Sequence, residues 1–216
     1  MQVSQAIQER RSCRDFSQRE VERETLRQLM AMTIRAPSAI NLQPWQFTVV
    51  ADEEVARLSR KLQRARAETG KGCAPDNLQP LADIYVERKR DLSRGMGPIM
   101  QEAGVDSASF IDQGSLNFYG APALVVACLD KSFDLVRALD VGIAVGWLLL
   151  AARELGLDTC PIGLVAAYQE PIKDFLNIAD NYQVLLAVAL GYGNDASPLN
   201  SFRSPRAELN DVVRWY

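Results

Sequence analysis

Residues 141–152, Val-Gly-Ile-Ala-Val-Gly-Trp-Leu-Leu-Leu-Ala-Ala, are apolar on every face of a helix. They lie inside a helical pattern over 134–155, the longest expected in the chain, which Gly156 closes as its C′ residue. A helix without a polar face has to be covered on all sides, so it belongs at the centre of a core or in a subunit interface. A chain of 216 residues holds one well-buried domain. As a monomer, that domain would have to wrap this helix completely, whereas an obligate dimer interface covers it naturally. The apolar run is also shorter than the roughly 20 residues that cross a bilayer. Residues 1–14 are polar and amphipathic and do not form a basic-then-apolar leader. The expectation is a soluble, cytoplasmic protein with no membrane partner.

The remaining pattern supplies a small sheet. Residues 121–129 and 183–190 read as buried strands, and 47–51 as a shorter one. Val3, Ala6 and Ile7 mark a first short helix. Leu26, Leu29, Met30, Thr33 and Ile34 follow i, i+3, i+4, i+7, i+8, giving a helix that stops before Pro37. Ser17 and Glu20 have the spacing of a capping box. Helices are expected over 53–66, with a very basic face, and over 81–94, broken at 95–98 by Gly95, Gly97 and Pro98. A less regular helical stretch follows to Asn117, and a short helix over 171–177. Residues 68–80 read as a loop, with Gly70, Gly72, Pro75, Asp76, Asn77 and Pro80. The tail from Asn194 shows little core pattern. This order of elements points to one mixed α+β domain, 1–216, with a small central sheet.

Composition removes several chemistries. There is no histidine, which excludes Ser-His-Asp and Cys-His catalysis and an imidazole base. Neither a Gly-x-Gly-x-x-Gly nor a Walker-type Gly-Lys-Ser/Thr occurs. Cys13, Cys73, Cys128 and Cys160 are far apart, so no metal site or disulfide framework is suggested. A net charge of −3 argues against a nucleic-acid surface. An enzyme of this composition leaves the hard chemistry to a bound cofactor.

Two segments carry that expectation. Arg10, Arg11, Ser12 and Arg14 place three guanidinium groups and a hydroxyl within five residues at a helix end, which suits a phosphate or another fixed anion. Further on, Pro37-Ser38-Ala39-Ile40-Asn41-Leu42-Gln43-Pro44-Trp45 is a dense loop between a helix and a strand. Trp45 and Phe47 read as packing residues, and Cys13 and Cys160 as small buried hydrophobes.

Taken together, these motifs resemble the nitroreductase family of flavin enzymes. The resemblance runs through Arg10-Arg11-Ser-x-Arg14-x-Phe16, Ala36-Pro37-Ser38-x-x-Asn41-x-Gln43-Pro44-Trp45-x-Phe47 and Phe118-Tyr119-Gly120-Ala121-Pro122. It continues in Asp140-x-Gly142, residues 156–163, Leu190-Gly191-Tyr192 and Asn200-x-x-Arg203-x-x-Arg206. It implies a mostly antiparallel sheet flanked by helices, with the long helix at a homodimer interface that holds two FMN sites. By that resemblance Arg10, Arg11, Ser12, Arg14, Arg203 and Arg206 hold FMN, with Arg14 near N1 and O2 of the ring. Pro37, Ser38, Ala39, Asn41 and Gln43 reach the partner's flavin. Pro161, Ile162, Gly163 and Leu164 line the ring, with the Gly163 N–H at N5. Gly163, Asn41 and Arg14 are the expected catalytic groups.

The activity implied is hydride transfer from NAD(P)H through FMN to an electron-poor small-molecule acceptor, a nitroaromatic or quinone, in a ping-pong cycle. A reductive dehalogenase or enone reductase on the same fold, and a flavin-binding sensor or storage protein, stand as alternatives. The resemblance also implies that a C-terminal extension, 195–216, wraps the partner, and that the variable region 60–115 forms a lid. Residues 57–94 hold ten Lys and Arg against five Asp and Glu, a local charge of +5 that leaves −8 for the rest of the chain. Such a lid would steer anionic substrates inward.

Overall fold

The computed structural model describes residues 1–72, 79–107 and 109–216. Four strands, β1 (Trp45–Ala51), β2 (Ala123–Asp130), β3 (Asp158–Ile162) and β4 (Tyr182–Gly191), form one sheet in the order β1-β2-β4-β3, each neighbouring pair antiparallel. The helices are α1 (Val3–Glu9), α2 (Arg23–Thr33), α3 (Glu53–Thr69), α4 (Asp83–Glu102), α5 (Phe110–Leu116), α6 (Ala138–Glu154), α7 (Gln169–Leu176) and α8 (Leu209–Val212). This is the expected α+β class.

Strand β2 shows why the sheet has two cores. Successive side chains of a strand point to opposite faces, and here both faces are covered. Leu124, Val126 and Cys128 pack with Leu58, Leu62, Met96 and Ile172 beneath α3, α4 and α7. Ala123, Val125, Ala127 and Leu129 pack with Leu26, Leu29, Val141 and Leu148 beneath α2 and α6. A strand covered on both faces has no place for an unpaired polar side chain, hence the unbroken apolar run.

Helix α6 is half core and half open surface. Val141, Ala144, Val145, Leu148 and Ala152 are buried, while Leu139, Ile143 and Trp147 stand 66%, 43% and 44% exposed. Its 17 residues equal α3 and fall short of the 20 of α4, so it is not the longest helix. The preceding Leu135–Arg137 forms a separate 3-10 turn, where the Asp134 side chain accepts the Val136 N–H. Counting that turn, Leu135–Glu154 spans 20 residues, long and apolar enough to cross a membrane by length and composition. That corrects the shorter span read from the sequence, but the buried face is the face of a core helix. The helix ends as expected: Gly156 adopts φ 74°, its N–H bonds the Arg153 carbonyl at 3.0 Å, and Leu157 N–H bonds that of Ala152 at 2.8 Å.

Four other expectations change. Ser17 and Glu20 form no capping box: α2 begins at Arg23 with Glu22 as N-cap. The Ser17 N–H instead bonds the Tyr192 carbonyl at 2.8 Å, which holds that segment extended beside the exit of β4. Helix α4 runs unbroken through Pro98. An internal proline costs about 3 kcal/mol, and burial of Met96 and Met100 on the core offsets it. Gly95 in the same helix answers to packing, since a Cβ there would meet the Phe202 ring at 2.8 Å. Residues 158–162, for which no strand is expected from the sequence, form β3; as the outermost strand it tolerates a residue without an N–H, Pro161. The tail, expected to lack core pattern, buries Leu199 and Asn200. Of the 68–80 loop, residues 73–78, with Cys73, Pro75, Asp76 and Asn77, lie outside the described residues.

Candidate active site

The arginine segment is laid along the free edge of β3. Arg10 ends α1, after which the chain extends: Ser12 bridges Thr159 in parallel, and Cys13 N–H bonds the Thr159 carbonyl at 2.9 Å. Cys13 and Phe16 are the buried anchors. Around these anchors Arg10, Arg11 and Arg14 are only partly buried. The tail then crosses over it. A groove of about 430 Å³ is lined by Ile7, Gln8, Arg10, Arg11, Ser12, Arg14, Phe202, Arg203, Ser204 and Arg206. The structure thus brings together all six residues predicted to hold the anionic end of the cofactor.

Arg11 Nη2 pairs with Asp195 at 3.5 Å, but other donors in this groove are unanswered. Arg11 Nε and Arg14 Nε are buried with no hydrogen-bond partner among the described residues, a loss of about 1–3 kcal/mol for each unpaired buried donor. Burial first, and then the neighbouring Arg11, hold the Arg203 guanidinium below its usual range. Arg203 and Arg206 turn to the carbonyls of their own tail. Cations crowded in this way, with buried N–H groups unanswered, fit a phosphate or the polar edge of a ring.

The other predicted contacts divide by burial. At the end of β3, Pro161 and Gly163 are exposed while the Ile162 and Leu164 side chains belong to the core, so the latter two face a ligand only through their backbone. A Cβ on Gly163 would meet nothing within 4 Å, which leaves its backbone approachable. Beneath this turn the Cys160 thiol is pushed up to about 11, chiefly by burial and against the pull of Arg14, Ser12 and Arg10. It is a neutral packing group.

The 37–43 loop stays apart. It enters β1, at the opposite edge of the sheet from β3. Thr159 pairs with Leu190, Leu190 with Ala123 and Ala123 with Ala51, six residues along β1 from Trp45. At strand spacings of about 4.8 Å and rises of about 3.4 Å, the loop is roughly 25 Å from the arginines. Ile40, Asn41 and Gln43 all have positive φ, a strained arrangement of order 1 kcal/mol or more each. It is held by Gln43 N–H on Ser38 Oγ at 3.0 Å, Gln43 Nε2 on Asn41 Oδ1 at 3.2 Å and Ala39 N–H on Asp140 at 3.4 Å. Pro37, Asn41 and Gln43 are exposed, and Ile40 is 90% exposed.

Residues 7–192 match the model of the nitroreductase family. The chain belongs to the nitroreductase family. A 4-nitrobenzoate reductase of Pseudomonas putida is 30% identical over 202 residues, covering 93% of this chain and 89% of that one. The FMN-dependent nitroreductase NfnB from Mycobacterium smegmatis, solved in complex with NADPH, superposes with a TM-score of 0.85 at 29% identity over 100% of both chains. The FMN and NADPH-dependent nitroreductase NfnB from Sphigopyxis sp. strain HMH gives 0.88 at 26%, over 100% of this chain and 99% of that one.

In this nitroreductase-family chain the sequence motifs hid three residues of the site. Asn200 and Tyr119 stood in quoted motifs without a role. Asn200 clasps Arg14 to the tail. Tyr119 is buried at φ 54°, its phenol raised by burial and by Cys160 against the opposing pull of Ser115 and Arg14. Asp140, 6% exposed, pairs with Arg137 at 3.2 Å and accepts from Ala39, so the start of α6 steadies the distant loop. No sequence spacing connects 39 with 140; only the meeting of β1 and α6 does.

Proposed function

We propose that this chain is an FMN-dependent NAD(P)H oxidoreductase that works as a homodimer and reduces electron-poor acceptors such as nitroaromatics or quinones. The observation that carries the reading is the groove in which Arg10, Arg11, Arg14, Arg203 and Arg206 converge with two buried N–H groups unanswered. When bound, FMN supplies the redox chemistry, accepting a hydride from NAD(P)H and giving two electrons to the acceptor in alternate half-reactions.

The chain's own residues then have distinct tasks. Arg10, Arg11, Ser12, Arg203 and Arg206 hold the phosphate and ribityl end. Arg14 sets a positive charge against the polar edge of the ring, which favours a full negative charge there. The Gly163 N–H is the donor for ring nitrogen N5, and the exposed Pro161 leaves that face accessible. Protons come from water or a backbone-held site, with no imidazole available to supply them.

The 37–43 loop serves the partner's cofactor, with Pro37, Ser38, Ala39 and Gln43 shaping it and Asn41 reaching ring or substrate. Support comes from the roughly 25 Å that separates it from its own chain's arginines. The open face of α6, with Leu139, Ile143 and Trp147, and the exposed Leu209, Val212, Trp215 and Tyr216 of the tail supply apolar surface for a second copy. The acceptor class follows the 4-nitrobenzoate reductase likeness.

Anaerobic titration of the FMN-loaded protein with NADPH tests this. The flavin band should bleach, and 4-nitrobenzoate or benzoquinone should restore it. A band that neither NADPH nor NADH bleaches overturns the reading and favours a flavin-binding module.

A further inference from the structure

We propose that the groove between α3 and α7 is a second binding site, separate from the arginine cradle, for a small aromatic anion. The groove holds about 510 Å³; Arg57, Arg60, Lys61 and Arg64 rim it above a floor of Ala65, Pro171 and Phe175, and Glu68 closes one end. The four cations are near neighbours on α3. Residues 57 and 61, and 60 and 64, are i, i+4 neighbours; 57 and 60, and 61 and 64, are i, i+3 neighbours. All four pairings are like-charged and therefore repulsive.

Glu54 answers Arg57, and Asp174 answers Lys61. Arg60 and Arg64 have no carboxylate partner among the described residues. An anion between them would turn repulsion into attraction, and two guanidinium forks suit a carboxylate or phosphate. The floor adds the second half of the recognition. Phe175 already lies 5.7 Å from the Arg57 guanidinium, within the reach of a cation–π contact. A flat ring can rest on Phe175, Pro171 and Ala65 while its charged substituent meets Arg60 and Arg64.

The groove lies on the opposite side of the sheet from the open face of α6. Both helices cover the layer of Leu58, Leu62, Leu124 and Ile172, whereas the open face of α6 belongs to the layer on the other side of the sheet. A second copy docked on α6 leaves this groove accessible.

Calorimetric titration of the purified protein with 2-naphthoate, 2-naphthyl phosphate, 2-naphthol and acetate tests the proposal. The two aromatic anions should bind at least tenfold more tightly than 2-naphthol or acetate, and the tighter of the two identifies the preferred head group. Arg60→Gln with Arg64→Gln should remove one aromatic-anion site per chain without changing the visible spectrum. Ala65→Glu, which places the wrong charge on the floor, should remove the same site. The proposal is overturned if both variants bind as many naphthoate molecules as the parent with unchanged affinity. It is also overturned if acetate matches naphthoate, which would indicate only an ion atmosphere. Neither outcome depends on flavin reduction, so failure here and failure of the oxidoreductase reading are distinguishable.

Discussion

The Asn200 side-chain carbonyl accepts the backbone N–H of Arg14 at 2.8 Å, across 186 residues of sequence. Its amide donates to the carbonyls of Asp15 at 2.7 Å and Asn194 at 3.0 Å, and its own backbone carbonyl accepts Arg203 Nη1 at 3.1 Å. One buried side chain therefore fixes the separation of the two halves of the cradle. Asn200→Ala leaves buried groups unpaired at about 1–3 kcal/mol each. We expect a lower melting temperature and, well below the melt, an FMN dissociation constant at least tenfold higher by flavin fluorescence titration. Unchanged FMN affinity in that variant contradicts the clasp.

Gly163 separates a backbone role from a side-chain role. Its φ of −77° and the open space beside it admit alanine, and φ also suits proline. Gly163→Ala keeps the N–H and should keep turnover within a few-fold. Gly163→Pro removes the donor and should lower NADPH-driven turnover by about 10²-fold, the usual scale for losing one positioned donor. Equal activity in the two variants removes Gly163 from the mechanism.

Three thiols set an alkaline limit. Burial pushes Cys13 from 9.0 up to about 12, and Cys128 and Cys160 up to about 11. Above pH 9 the unfolded chain releases these protons while the folded chain keeps them. Their contribution is therefore complete below pH 9 and is lost as pH rises towards 11–12, at about 1.4 kcal/mol per thiol per pH unit. Urea unfolding at pH 7 and pH 10 measures the loss. Peptide mapping after iodoacetamide at pH 8 should show Cys13, Cys128 and Cys160 slow to react in the native protein, and fast labelling of Cys160 would reopen a redox role.

On α4 the charges are not equivalent. Arg90 and Arg94 share Glu87, and Arg94 also holds Asp91. Arg88 rests 5.7 Å from the Tyr85 ring, and neither Arg88 nor Lys89 has a carboxylate partner among the described residues. If the lid steers anions, Arg88→Gln with Lys89→Gln should lower kcat/KM for NADPH several-fold at low ionic strength and flatten its salt dependence. Arg90→Gln should change little. Parallel salt profiles for all three proteins rule steering out.

Much of this molecule was legible where local chemistry and final environment agree. The apolar run of β2, the α2 periodicity ending before Pro37, and Gly156 as a C′ residue all needed only near neighbours. The arginine cluster stands out in the sequence for the same reason, and in the fold its residues line one groove with the tail. What escaped depended on distant contacts. Pro98 looked like a break because the burial of Met96 and Met100 cannot be seen from spacing. Strand β3 escaped because five residues that include Pro161 read as a strand only once their place at the sheet edge is known. Ile162 and Leu164 were assigned to the ring face, yet their side chains fill the core. Asn200 and Asp140 gain their roles only when the tail meets residue 14 and α6 meets residue 39.

The central claim is that the convergent arginines hold FMN. The most direct measurement is the visible spectrum of the purified protein, with the released cofactor identified and counted per chain. The account predicts an oxidised-flavin spectrum, FMN rather than FAD in the supernatant, and close to one FMN per chain after reconstitution. A colourless protein that takes up no FMN would contradict it.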